Sequence, residues 1–165
     1  MFDFKPDPAL ETAERYRQLC DAADALTSSE PDPVANMANV AALLWEFVPD
    51  LNWAGFYRMG TSVKEERELV LGPFVGRPAC IRIPIGQGVC GASAEEGVTQ
   101  LVKDVHAFPG HIACDAASRS ELVVPVIRDD EVVAVIDLDS PSPARFDETD
   151  AAGVEALARL LSPRI

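Results

Sequence analysis

This sequence predicts an α+β fold: a mostly antiparallel sheet with helices packed against it. Three observations predict it. Apolar residues recur at helical spacing at both ends of the chain, short β-rich runs fill the middle, and the two clearest runs are joined across a short charged turn. At 165 residues the chain suits one domain with a real core.

The elements follow in order. Asp7-Pro8 reads as a helix start, and Leu10, Ala13, Tyr16, Leu19, Cys20, Ala23 and Leu26 then recur on one stripe. Asp32-Pro33 repeats that signal, and a second helix runs through Val40, Leu43, Leu44 and Phe47 to stop before Pro49. Residues 52–59, 68–74 and 80–85 read as short strands. Gly86-Gln87-Gly88 is a turn into a short helix over 89–96, and 99–102 is a further strand. Residues 106–118 read as loop or a helical turn. Strands over 121–127 and 132–138 follow, and Asp147, with Asp150 three positions on, caps a last helix to about Leu161.

Charge and termini exclude several classes of function. Lys and Arg number 14 against 27 Asp and Glu, a formal charge of −13 that repels DNA and RNA. The N-terminus lacks the basic and apolar regions of a secretory signal, and no apolar run is long enough to span a bilayer. The expected compartment is the cytoplasm, where thiols stay reduced. Four cysteines in such a chain read as buried, metal-bound or catalytic rather than as a disulfide framework.

Gly86-Gln87-Gly88-Val89-Cys90-Gly91 spells a dinucleotide-binding glycine pattern, but hairpin-like strands follow it and no repeated βαβ unit does, so no nicotinamide cofactor is expected. The pattern places Cys90 at a helix start, where the dipole favours a thiolate. Zinc is weighed on Cys80, Cys90, His106, His111 and Cys114. Those cysteines lack the close pairing of structural zinc sites, so no metal is expected. Cys114 sits among small residues in a loop that suits an accessible nucleophile, Cys80 ends another loop-like stretch, and Cys20 reads as a core residue.

The strand at 132–139 carries the most physical information. Alternation puts Val133, Val135, Asp137 and Asp139 on one face. Burying two carboxylates together raises at least one pKa, which makes a proton donor. Glu121 joins them only under one register. A two-residue turn at Asp129-Asp130 pairs Glu121 with Leu138, so an odd-length loop or a compensating bulge is expected. Trp53, Gly55 and Tyr57 share a face of the first strand, with Gly55 leaving a gap between two rings for a small soft group such as a thioether methyl.

The stretch GPFVGRPACIRIPIGQGVCGASAEEGVTQLVKDVHAFPGHIACDAASRSELVVPV, followed by AVIDLDSP and ARFDETD, closely resembles the free methionine-R-sulfoxide reductases, which are stand-alone GAF-domain enzymes. The likeness runs from about Asn52 to the last helix. It implies a single GAF-like domain over 1–165: a central antiparallel sheet with helices on one side and a ligand pocket on the other. It also implies Cys114 as nucleophile, Cys80 as resolving thiol and Cys90 as a third cysteine of less settled duty. The substrate-holding residues would be Glu121, Asp137, Asp139, Trp53 and Tyr57. The implied partners are free methionine-R-sulfoxide, thioredoxin or a similar dithiol, and a second copy of the chain in a homodimer. One of Asp137 and Asp139 is expected to keep the proton. The rival reading is a GAF domain that senses a ligand or redox state without turnover.

Overall fold

The computed structural model describes residues 6–7, 9–108 and 117–165. Its helices are α1 (Thr12–Thr27), α2 (Pro33–Phe47), α3 (Gly88–Glu96) and α4 (Glu148–Leu161). Its strands are β1 (Trp53–Thr61), β2 (Arg67–Gly76), β3 (Arg82–Pro84), β4 (Gln100–Val102), β5 (Ser120–Arg128) and β6 (Glu131–Ser140). They form a six-stranded sheet in the order β3-β2-β1-β6-β5-β4, and every neighbouring pair is antiparallel. An antiparallel sheet provides no βαβ unit, so Gly86–Gly91 is not a dinucleotide cradle. Gly91 instead lets α3 close onto β3, since a Cβ there would meet Pro84 O at 2.6 Å.

Two helix starts behave as their residues dictate. The Asp32 side chain accepts from the Val34 and Ala35 backbone N–H groups at the head of α2. Asp147 and Asp150 form a full capping box on α4. The expected start at Asp7 is corrected: Asp7 closes a short turn through Ala9 N–H and Leu10 N–H, and α1 begins at Thr12. The Asp7 side chain accepts from Ala9 N–H and its backbone carbonyl from Leu10 N–H, and such a pair stabilises a turn just as well as a helix start.

The sheet divides the interior into two layers. Against one face pack α2 and α4, with α1 laid against both helices and Tyr16, Leu19, Leu44, Phe56, Leu122, Ile136, Leu138 and Leu157 in their shared core. A buried polar clamp ties this layer together: Tyr16 OH donates to Asp150 Oδ1 at 3.0 Å and Arg145 donates to Asp150 Oδ2 at 3.1 Å. The other face carries α3 and a smaller cluster that includes Trp53, Tyr57, Leu69, Cys90, Val123 and Val135. Among the described residues no helix is long and apolar enough to cross a membrane.

One close approach shapes the second layer. At Gly55 an added Cβ would lie 2.4 Å from Phe74 Cβ and 2.8 Å from Pro73 O. Backbone on that side leaves no room to relax. Gly55→Ala should therefore lower stability by about 1–3 kcal/mol, the usual cost of overpacking, read from the urea midpoint. An unchanged midpoint would show that β1 and β2 do not approach this closely.

Candidate functional site

The site is set by how β5 meets β6. Asp129 and Asp130 both have positive φ, 52° and 64°, which is the two-residue turn that matches strand twist. Arg128 then faces Glu131 and Ile127 faces Val132, but Val126 faces Ala134. Val133 is the extra residue of a β-bulge. Beyond it the register is shifted by one, so Glu121 lies opposite Asp139 and Val123 opposite Asp137. The expected compensating bulge is present, and all three carboxylates share the α3 face. It also moves Val133 off the expected face: Val133 packs with the helical core and Val132 with the site cluster.

Glu121 and Asp137 are each 6% exposed, whereas Asp139 is half-buried. Cys90, on the first turn of α3, is 4% exposed and faces the pair. One donor atom from each of Cys90, Glu121 and Asp137 lies within 4.8 Å of the other two. Desolvation, then the negative charges of Asp137 and Asp139, hold the Glu121 pKa well above the carboxylate range. Asp137 is pushed up to about 7 by burial, against the lowering effect of hydrogen bonds from Cys90 and Glu121. Its Oδ1 atom is buried without a hydrogen-bond partner from the protein.

Cys90 overturns the expectation of a helix-start thiolate. Burial, followed by the charges of Asp137 and Glu121, raises its pKa well above the ordinary thiol value. A helix dipole contributes about 1 kcal/mol at an exposed terminus, whereas removing a charge from water costs several. Burial wins. Cys90, Glu121 and Asp137 are spaced closely enough to share an ion, but raised proton affinities at all three give protons the first claim.

Beside the acids stands an aromatic wall. Trp53 stacks on Tyr57 with ring centroids 5.9 Å apart and on Phe74 at 5.2 Å. The gap expected over Gly55 is thus taken by Phe74, which the sequence reading did not single out. The open space lies at the edge of the rings, in a narrow pocket lined by Trp53, Tyr57, Arg77, Pro78, Ala79, Asp137 and Asp139. Two hydrogen bonds fix its far wall: Trp53 Nε1–H donates to Arg77 O at 3.1 Å and Tyr57 OH donates to Cys80 O at 3.0 Å. Cys80, half-buried, follows Ala79 of the pocket wall and packs against the same cluster.

Cys114 and His111 lie outside the described residues. On the near side of them, Phe108 packs against the second cluster. On the far side, Ser118 is buried and accepts a 3.0 Å hydrogen bond from Asn52 Nδ2–H. His106 is exposed, away from the Cys90 group. Cys20 is half-buried against the helical core, as expected. A larger groove of about 440 Å³ runs along α4 and β5 past Val98, Ile127 and Glu155. It contains none of the described thiols or raised carboxyls, whereas the smaller pocket is lined by Asp137 and Asp139.

The chain matches the GAF domain family over residues 37–165. It is 43% identical to the free methionine-R-sulfoxide reductase of Escherichia coli, over 92% of this chain and 89% of that one. It is 41% identical to the enzyme of that name from Saccharomyces cerevisiae, over 93% and 87%. The structure of free methionine-R-sulfoxide reductase from Neisseria meningitidis in complex with its substrate superposes with a TM-score of 0.89 at 44% identity, covering 97% of this chain and 93% of that one.

Raised carboxyl pKa values couple the site to stability. Asp137 binds its proton more tightly folded than unfolded, where its pKa is about 3.9. Its stabilising contribution is complete below that value and is lost as pH rises through about 7. Denaturant midpoints should therefore fall between pH 5 and pH 8, and Asp137→Asn should flatten that slope. A wild type whose midpoint is level across this range would refute the shift.

Proposed function

The chain belongs to the GAF domain family, among its free methionine-R-sulfoxide reductases, and we propose that it reduces free methionine-R-sulfoxide to methionine. The observation that carries this reading is the buried Glu121–Asp137 pair set against the Trp53–Tyr57 wall, with Cys80 packed against the same cluster. A sulfoxide reductase needs a proton for the departing oxygen, a soft surface for the thioether methyl and a charge for the ammonium group. Glu121 and the pocket beside it offer groups of each kind.

Glu121 keeps the proton, because both its burial and two neighbouring carboxylates oppose its ionisation. Asp139, the more exposed acid, takes the substrate ammonium, and Asp137 Oδ1 accepts a further hydrogen bond from it. Peptide-bound methionine lacks that ammonium and is excluded. The methyl group lies against Trp53 and Tyr57.

The Cys114 thiolate attacks the sulfoxide sulfur as the acid protonates its oxygen; methionine leaves and Cys114 becomes a sulfenic acid. Cys80 condenses with it, releasing water and forming the Cys80–Cys114 disulfide. A dithiol reductant such as thioredoxin restores both thiols. The cycle suits the cytoplasm, which supplies such dithiols. Cys90, protonated and buried, donates to Asp137 and holds its charge in check.

Turnover on free methionine-R-sulfoxide with a dithiol tests the reading, and Cys114→Ser should abolish it. Cys80→Ser should release one methionine per chain in a single turnover and then stall with thioredoxin. Glu121→Gln, which keeps the shape and loses the transferable proton, should slow methionine release by about 10²–10³-fold with little change in substrate affinity. A Cys114→Ser variant that turns over normally removes the nucleophile assignment. A wild type that binds the sulfoxide without releasing methionine would instead favour a sensor.

Glu121 must hold its proton, so methionine release should fall at high pH as that raised carboxyl ionises. A rate that climbs with pH to 9, following thiolate formation alone, contradicts a carboxylic-acid donor.

A further inference from the structure

The chain is strongly acidic, yet residues 72–94 contain no Asp or Glu and two arginines, Arg77 and Arg82. Cys80 lies inside that run. Ile81, next to it, is 70% exposed, an unusual display for so large an apolar side chain. Gly76, Arg77 and Pro78 are exposed as well. Arg82 is tied to Glu68 across the β2–β3 pair, while Arg77 stands at the exposed edge of the pocket.

The segment is held on a rigid frame. Its carbonyls at Arg77 and Cys80 accept from Trp53 and Tyr57, and Ile81 O accepts from Leu71 N–H at 2.9 Å. A displayed apolar side chain on a fixed backbone is preorganised for docking, because little further ordering is needed on contact.

Resting on the disulfide cycle proposed above, we infer that residues 77–82 are the docking surface for the dithiol reductant. Ile81 is its apolar anchor, and Arg77, exposed beside it in a run of chain without acids, favours a partner whose redox face is apolar with an acidic border. Without that local patch, a formal charge of −13 would repel such a partner. The reductant thiolate attacks Cys80 Sγ, the Cys80–Cys114 bond breaks, and Cys114 leaves as a thiolate that takes a proton. The second reductant thiol attacks its own bridging sulfur and expels the Cys80 thiolate, which is protonated in turn. Two electrons and two protons pass to this chain, and the reductant ends as a disulfide.

Thioredoxin with its reductase and dithiothreitol serve as large and small reductants of the full chain. Ile81→Asp removes the anchor and adds a repelling charge; Ile81→Lys removes the anchor and reinforces the rim. The KM for thioredoxin should rise about tenfold in Ile81→Asp, equivalent to about 1.4 kcal/mol, and less in Ile81→Lys. Turnover on dithiothreitol should stay within about twofold of wild type. Thioredoxin lacking its second cysteine, mixed with the oxidised chain, should be trapped on the peptide that contains Cys80. Unaltered thioredoxin kinetics in Ile81→Asp, or trapping through Cys114, overturns the inference. A wild type inert with dithiothreitol counts against the reductase reading instead.

Discussion

One extra residue in β6 sets the chemistry of this molecule. The turn at Asp129-Asp130 is the two-residue kind, and continued without interruption it would place Leu138 opposite Glu121. The Val133 bulge restores the pairing that turns Glu121 to the same side as Asp137 and Asp139. A one-residue slip exchanges every side chain between faces. Glu121 would then point among Leu44, Phe56 and Leu157, where an unpaired carboxyl costs several kcal/mol. Leu122 and Val124 would be driven out of that core at the same time. The register is thus enforced by the helical layer, and the acid cluster inherits its position from packing on the opposite face of the sheet.

This division explains how a domain of this size tolerates a site so costly to bury. The layer of α1, α2 and α4 is apolar apart from the satisfied Tyr16–Asp150–Arg145 clamp and a few other polar residues, and its helices are capped where the sequence allows. The α3 layer is smaller and holds two carboxyls and a thiol at nearly complete burial. Ionising all of them in that space is prohibitive, so protons stay. The proton that opposes ionisation is the same proton a sulfoxide oxygen needs. Stabilisation from one face offsets a destabilised, reactive arrangement on the other.

Much of this was legible in the sequence, for identifiable reasons. The starts of α2 and α4 were plain because a capping side chain acts on amides two or three positions away. The shared face of Asp137 and Asp139 followed from the strand pleat, and the need for a bulge followed from counting the turn. What failed depended on distant partners. Asp7 has the same local signal as Asp32, but apolar burial on α1 begins only at Tyr16, so nothing draws the helix back to it. Phe74 enters the site because β2 shifts register opposite β1 between Gly55 and Tyr57, a feature that no periodicity in β2 announces. The hydrogen bond that lowers Asp137 comes from Cys90, on a helix far from either strand in sequence.

Cys90 shows why local rules need magnitudes. Its place at a helix start argues for a thiolate, and its burial beside two carboxylates argues against one by a much larger amount. Thiol exchange proceeds through the thiolate and needs access for the incoming sulfur. Cys90 has neither, whereas Cys80 is half-buried beside the exposed Ile81 on a backbone pinned by Tyr57. The sulfur most deeply built into the acid cluster is therefore the least suited to exchange electrons. Its S–H instead donates to Asp137 and draws that carboxyl back toward neutrality, to about 7. Oxidising Cys90 would withdraw this hydrogen bond, raise Asp137 further and leave the pair more firmly protonated. A buried thiol thus helps decide how readily the neighbouring carboxyl releases a proton.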